Sequence, residues 1–265
     1  MNRKTKGIIK RGLVALLILA IAAVVVFTRG TKDNTDYKAP VAAESVITGA
    51  EGYIYYNDTD NNICRRDIGS NKSYLIGENL TVLSAFMEDV LVSTGDAVYV
   101  VKCDGKATEE GYSVNTDRAE ITADYIYYKD IETGYVMRID RKTGVHEAFI
   151  KISADKFIVY GNKLIFTTPD RKMIYIYDMV TQMPMGYFGD KDIVDFDVDE
   201  DYLVYADAAN GYKVSRMSLV SFAEDEIKGV KTKKMEYRNG KLFYVENHKK
   251  KSESYKLKIK DVDVH

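Results

Sequence analysis

The run Tyr53-Ile54-Tyr55-Tyr56 returns letter for letter as Tyr125-Ile126-Tyr127-Tyr128. Four variants accompany the pair: Val90-Leu91-Val92-Ser93, Leu164-Ile165-Phe166-Thr167, Tyr202-Leu203-Val204-Tyr205 and Leu242-Phe243-Tyr244-Val245. The six copies start 37, 35, 39, 38 and 40 residues apart. Self-similarity at one such period is the mark of a repeat architecture. The residues are β-branched and aromatic, which favours strands. Their first three positions are apolar in every copy, so polar and apolar residues do not alternate as on a one-faced sheet. These strands must be buried on both faces.

Working outward, each run leads through a turn-rich segment into a second β-type run. Asn57–Asn62 precedes Ile63-Cys64-Arg65-Arg66-Asp67, Ser93–Asp96 precedes Val98–Val101, and Lys129–Gly134 precedes Val136-Met137-Arg138-Ile139-Asp140. Ile174–Asp178, Lys213–Arg216 and Tyr255–Ile259 follow suit, so each copy opens a hairpin. A further turn, such as Asp104-Gly105 or Arg141–Gly144, then introduces a short outer strand of the kind seen at Tyr74–Ile76. Ahead of the motifs lie more β-compatible stretches, among them Thr81–Phe86, Ala119–Ala123 and Phe157–Tyr160.

Four short antiparallel strands per repeat of about 38 residues make a propeller blade. The reading is an all-β domain over 45–265, a six-bladed β-propeller. A solenoid or a two-sheet sandwich is the alternative, although a solenoid has shorter periods and a sandwich no repeat. The last blade keeps its own outer strand near Val262–Val264, so no strand exchange between the termini is expected. The quoted motifs, from Gly52-Tyr53 to Asp67 and from Asp124-Tyr125 to Gly144, resemble the YWTD-like propellers. They look closer still to bacterial domain-of-unknown-function families related to the low-density-lipoprotein-receptor propeller, which implies a secreted or membrane-tethered protein. The chain has no Trp, so the tetrad itself is missing and receptor-type ligand contacts do not carry over.

The N-terminus has a different character. Gly12 to Thr28 is uncharged and follows Arg3, Lys4, Lys6, Lys10 and Arg11. This is short for a spanning helix, and a cleavable signal peptide is the rival reading. The exit sequence Val26-Phe27-Thr28-Arg29 lacks a small-x-small cleavage pattern, which favours an uncleaved signal anchor. The expected organisation is a cytoplasmic basic stub over 1–11, one transmembrane helix over 12–28, a linker over 29–44 and the propeller beyond. The positive-inside rule places that propeller outside the cytoplasm.

Charge excludes one class of partner. Residues 1–44 carry eight Lys/Arg against three Asp/Glu, which leaves thirty against thirty-seven for 45–265. A mildly acidic body offers no footprint for nucleic acid. Cys64 and Cys103 are too few for a disulfide framework and match no zinc spacing.

Catalytic constellations are thin. Only His146, His248 and His265 are available to serve a nucleophile, and no serine is marked as activated. Two opposed carboxylates suffice for glycoside cleavage, but among forty acids abundance alone is no signal. One acidic stretch stands out, Asp192 to Asp201. It is not an EF-hand, because Glu200 stands where the loop needs Gly and Ala206 where it needs a bidentate Glu. Alternation sets Val194, Phe196 and Val198 on one face of a strand and Asp195, Asp197 and Asp199 on the other. That second face is either solvated or, on an innermost strand, a cation site near the channel, with calcium the structural ion it would take. Lys249–Lys251 reads as a solvated loop tip.

The expected function is a non-catalytic binding or scaffolding module at the cell surface, for protein, peptide or glycan. A polysaccharide-acting hydrolase or lyase is the alternative, and an accessory or sensory subunit of an envelope complex is a third reading.

Overall fold

A computed structural model describes residues 40–43, 45–106, 111–246 and 254–262, and among them every regular element is a strand. The basic stub, the apolar segment over 12–28, nearly all of the linker, His248, Lys249–Lys251 and His265 lie outside the described residues. Among those described, no helix is long and apolar enough to cross a membrane.

After β1 (Val41–Ala42), a first four-stranded sheet holds β2 (Ile47–Ala50), β3 (Tyr53–Asn57), β4 (Ile63–Asp67) and β5 (Ser73–Gly77). A three-stranded sheet follows, with β6 (Thr81–Phe86), β7 (Asp89–Ser93) and β8 (Val98–Lys102). Next come β9 (Ala119–Ile121), β10 (Tyr125–Lys129), β11 (Tyr135–Asp140) and β12 (His146–Ser153). A further four-stranded sheet contains β13 (Phe157–Tyr160), β14 (Lys163–Thr167), β15 (Met173–Asp178) and β16 (Met183–Gly189). The last sheet has six strands: β17 (Ile193–Asp199), β18 (Tyr202–Asp207), β19 (Lys213–Ser218), β20 (Glu224–Arg238), β21 (Lys241–Glu246) and β23 (Leu257–Asp261). Between β21 and β23 lies β22 (Ser254–Tyr255), which pairs with β1.

The expectation of a β-propeller holds, but counted by sheets it has five blades rather than six. β20 is the reason. Its first part pairs with β19 and its last part, from Thr232, with β21, so one 15-residue strand closes one repeat and opens the next without a turn. Gly229, at φ 78°, is the single left-handed position along it, and it redirects the strand as a bulge does. The second blade is also thinner than expected. Among the described residues, only the bridge Val98↔Tyr112 occupies its outer position.

The repeat survives this fusion. One hydrogen bond recurs six times, from the first residue after a blade's third strand to the carbonyl in the turn between its first two. Ile68, Cys103, Arg141, Met179, Leu219 and Val262 donate to Gly52, Glu88, Asp124, Asn162, Asp201 and Gly240. Burial begins at 54, 90, 126, 164, 203 and 242 and continues for at least three residues in each copy. In three copies the register is therefore one residue earlier than the apolar runs suggest, because Asp89, Lys163 and Lys241 open their strands. Where tyrosine opens the strand it is half-buried beneath an arginine of the next strand: Arg65 over Tyr53, Arg138 over Tyr125 and Arg216 over Tyr202, each 4.6 Å from the ring centre. Such contacts shield the apolar core at the blade margin.

The termini also depart from expectation. Val41 pairs with Tyr255 and Ala42 with Ser254, so the segment ahead of the first blade is clasped to the last. Val41 is fully buried and packs with Ile54, Phe243 and Val245 across the joint. Burial of one aliphatic side chain drives the pairing, and Val41→Ala should cost about 2 kcal/mol. Urea denaturation checks this, and an unchanged midpoint would show the clasp to be incidental.

Candidate functional site: the central channel

The inner strands β2, β6, β9, β13, β17 and the second part of β20 stand side by side, and β20 returns to β2 to close the ring. They run parallel, since Asp195, Asp197 and Asp199 of β17 meet Met235 and Tyr237 of β20 and Asn239 just beyond it in ascending order. The channel so enclosed has an upstream mouth, where the inner strands begin, and a downstream mouth, where they end.

Asp195, Asp197 and Asp199 do lie on an innermost strand, but neither free in solvent nor gathered around a point. All three are buried, at 8%, 5% and 8% exposure. Each carboxylate accepts a backbone N–H from β20 or the turn just after it: Met235 at 2.7 Å, Tyr237 at 2.6 Å and Asn239 at 2.6 Å. Adjacent inner strands in a propeller are splayed too far for a regular ladder, and these side chains span the seam in place of backbone carbonyls. Buried N–H groups need such acceptors. Ser84 plays the same part between β6 and β9, accepting the Ile121 N–H at 3.0 Å. Among the described residues, no three His, Cys, Asp or Glu side chains are grouped as a metal site.

Apart from Asp197, the polar centre of the channel comes from residues that sequence reasoning passed over. A cavity of about 410 Å³ is lined by Glu120, Asp197, Glu236 and Arg238, with Arg118 and Lys156 toward the upstream mouth. Glu236 is nearly fully buried and accepts from Arg238 at 3.0 Å. It fits because β2 offers Gly49 opposite: a Cβ there would stand 2.9 Å from Glu236 Oε1 and 2.8 Å from Ile54 Cδ1. Burial first, and then the neighbouring Asp197, hold Glu236 protonated well above the ordinary carboxyl range. Asp197 is raised too, chiefly by burial, and the two carboxyls share a hydrogen bond and hence a proton. Burial pushes Glu120 up to about 8, against the opposing pull of Lys156.

At the upstream mouth a second cavity of about 320 Å³ shares Val46, Ile47, Arg118 and Lys156 with the first, so the two are continuous. Lys156 is committed, bonding Asp195 at 2.5 Å and the Phe196 carbonyl at 2.6 Å. Lys234 reaches the Ser45 carbonyl at 2.8 Å, and Lys233 lies over the Tyr212 ring. Along the axis the lining thus passes from a basic mouth to an acidic centre.

The one early hint of these residues was position: Glu120 sits mid-strand between Ala119 and Ile121, and Glu236 between Met235 and Tyr237, where an apolar neighbour on each side marks a buried strand. Cys64 and Cys103 are free thiols.

No family model matches the chain, and no curated protein matches it. Solved structures do. The YWTD-type propeller of a nidogen/laminin complex aligns with a TM-score of 0.54 at 12% identity, covering 71% of this chain and 80% of that one. The WD40 domain of Neurospora crassa Pan2 aligns with a TM-score of 0.51 at 12% identity, covering 80% and 74%. At such identities the likeness is one of fold, and the fold it shows is the β-propeller.

Proposed function

We propose that this protein is a membrane-tethered scaffold outside the cytoplasm, whose propeller docks another protein on its downstream rim. The carrying observation is an arc of exposed aliphatic and aromatic side chains in the turns after the third strands of three successive repeats. Val145 (58% exposed), Val180 (72%) with Met183 (63%), and Val220 (73%) with Phe222 (64%) all occupy that one edge. Single exposed apolar residues are ordinary, but equivalent positions repeated around one rim mark an interaction face.

The chemistry of the arc favours protein over glycan, since sugar faces stack on aromatic platforms and only Phe222 is aromatic here. In one propeller of similar fold the other component is itself a protein, laminin. The clasp at Val41 adds direction. It lies beside Ser45 and Val46 of the upstream mouth, so the chain enters the propeller on that side, and a membrane tether ahead of it would leave the downstream rim facing away from the membrane. Two of the channel's acids already have structural work, Asp197 on the Tyr237 N–H and Glu236 on Arg238.

A photo-crosslinking residue at Phe222 should capture a discrete protein partner in cells, while the same residue at Ile131, in a turn at the opposite edge, should not. Val180→Lys combined with Phe222→Lys should abolish that capture and leave the melting temperature unchanged, because both side chains are exposed. Equal labelling from the two sites, or capture that survives the double lysine variant, would sink the docking face. Protease added to intact cells should remove the propeller, and protection of the whole chain would overturn the location.

A further inference from the structure

Inside the apolar arc, the downstream face carries a ring of one charge. Six turns join the first strand of each repeat to the second, at 51–52, 87–88, 122–124, 161–162, 200–201 and 239–240, and they surround the downstream mouth of the channel. These turns contain Glu51, Glu88, Asp124, Glu200 and Asp201, all exposed, and no Lys or Arg. Glu88 approaches Lys102 at 4.0 Å, whereas Glu51, Asp124, Glu200 and Asp201 form no ion pair among the described residues. Lys163 and Lys241 follow the two uncharged turns, and Lys241 is itself paired with Asp261 at 3.4 Å. The upstream mouth differs in sign, with Arg118, Lys156, Lys233 and Lys234 in its lining.

Ring and arc adjoin. The hydrogen bond that recurs in every repeat ties each outer turn to the inner one: the Arg141 N–H meets the Asp124 carbonyl at 2.9 Å, and the Leu219 N–H meets the Asp201 carbonyl at 2.7 Å. Val220 is the residue after Leu219, so an exposed aliphatic side chain and an exposed carboxylate stand on turns in direct contact. In the fourth repeat Met179 makes the same bond to Asn162, with Val180 next in the chain. Met87, 59% exposed, places an apolar side chain in the ring itself.

We infer that the partner docked on the downstream rim presents a cationic, amphipathic protein segment, with apolar side chains against Val180, Val220 and Phe222 and Lys or Arg side chains against Asp124, Glu200 and Asp201. This inference rests on the docking face proposed above and adds the chemistry of its occupant. Charge selects the class. Exposed acids of one sign around a mouth attract a cationic surface and speed its encounter. The same acids repel an anionic bilayer, which binds apolar side chains only when basic ones accompany them. A divalent ion is the poorer counter-charge, because among the described residues no three carboxylates are grouped to hold one.

The test presents the full chain, in a neutral detergent, with two fluorescent peptides of the same apolar pattern, acetyl-KLLKKLLKKLLK-amide and acetyl-ELLEELLEELLE-amide, and reads anisotropy. The lysine peptide should bind saturably and about tenfold or more tighter than the glutamate peptide. Its affinity should fall as salt rises from about 50 to about 300 mM, because exposed pairs are screened. Glu51→Gln, Asp124→Asn, Glu200→Gln and Asp201→Asn together should weaken the lysine peptide about tenfold or more and remove its salt dependence. The melting temperature should stay unchanged, since all four side chains are exposed. Should the fourfold variant fail to fold, the glutamate peptide and the salt series decide the matter. No saturable binding, equal or tighter binding of the glutamate peptide, affinity that the fourfold variant retains, or displacement of the lysine peptide by calcium at constant ionic strength would each overturn the cationic partner. In cells, photo-capture from Phe222 that survives the fourfold variant but not Val180→Lys with Phe222→Lys would also overturn it and leave the docking face intact.

Discussion

Replacing both Asp195 and Asp197 by alanine is expected to lower the melting temperature by roughly 5–20 °C. Each substitution strands a buried backbone donor of β20, Met235 N–H in one case and Tyr237 N–H in the other. An unsatisfied buried N–H costs about 1–3 kcal/mol. Loss of Asp195 also removes the carboxylate that holds Lys156, whose side chain is 15% exposed. A domain of this size loses about 2–4 °C per kcal/mol. Asp197→Asn is the informative control, because its amide oxygen still accepts the Tyr237 N–H and the position needs an acceptor more than it needs charge. It should remain within about 1 kcal/mol of the parent, comparable to an exchange of one neutral hydrogen bond for another. Should Asn at 197 prove as damaging as Ala, the charge itself would be what the seam requires, and the strand-bridging role would be refuted.

These carboxylates illustrate what could and could not be read from the chain. That Asp195, Asp197 and Asp199 share one face of an inner strand follows from their spacing alone. Their partners do not, because Met235, Tyr237 and Asn239 are brought opposite only when β20 takes its place in the ring. The separation of 40 residues is one repeat length, so the period did contain the answer, but only for a reader already holding the ring. Hairpins were legible for a similar reason. Apolar runs buried on both faces, such as Ile54–Tyr56, and turns such as Glu51-Gly52, with φ of 47° and 82°, are local signals.

What escaped was the non-local. The fused sheet depends on β20 passing from one repeat to the next with a single left-handed Gly229 and no reversal, and a Lys-rich stretch of alternating polarity looks much the same whether or not it turns. The clasp rests on two residues, β1, whose pairing is worth making only because Val41 finds a cleft between Ile54 and Phe243. Glu120 and Glu236 were invisible as a pair, being separated by more than a hundred residues and by half the ring.

Stability of the folded protein should fall as the pH rises from about 5 to about 8.5, contrary to the behaviour of a protein held together by exposed ion pairs. Glu120 has its folded-state value raised to about 8, and Glu236 stands well above its ordinary value, in both cases mainly through burial. A carboxyl raised in the folded state binds its proton more tightly there than in the unfolded chain. Its penalty is therefore absent below the unfolded value of about 4.3, grows as the pH climbs through the interval, and is complete above the folded value. For Glu120 alone the interval spans several pH units, and linkage sets the loss at a few kcal/mol. The opposite limb belongs to Asp89, held low by Lys102 and Arg141 against the burial that opposes them, and to Asp67, Asp140 and Asp178, held low by backbone N–H groups of their turns. Depressed carboxyls contribute stability above their unfolded value and lose it as the pH falls through the folded one, so that limb lies below about pH 4. The two together place the stability maximum near pH 5. Urea midpoints measured from pH 3 to pH 9 should trace that maximum, and Glu120→Gln should flatten the alkaline side while leaving the acid side as it was. A curve that instead rises to a plateau at pH 7, or an alkaline slope that Glu120→Gln does not change, would mean that the channel's carboxyls are ionised at neutral pH and that Glu120 is solvated rather than held in reserve.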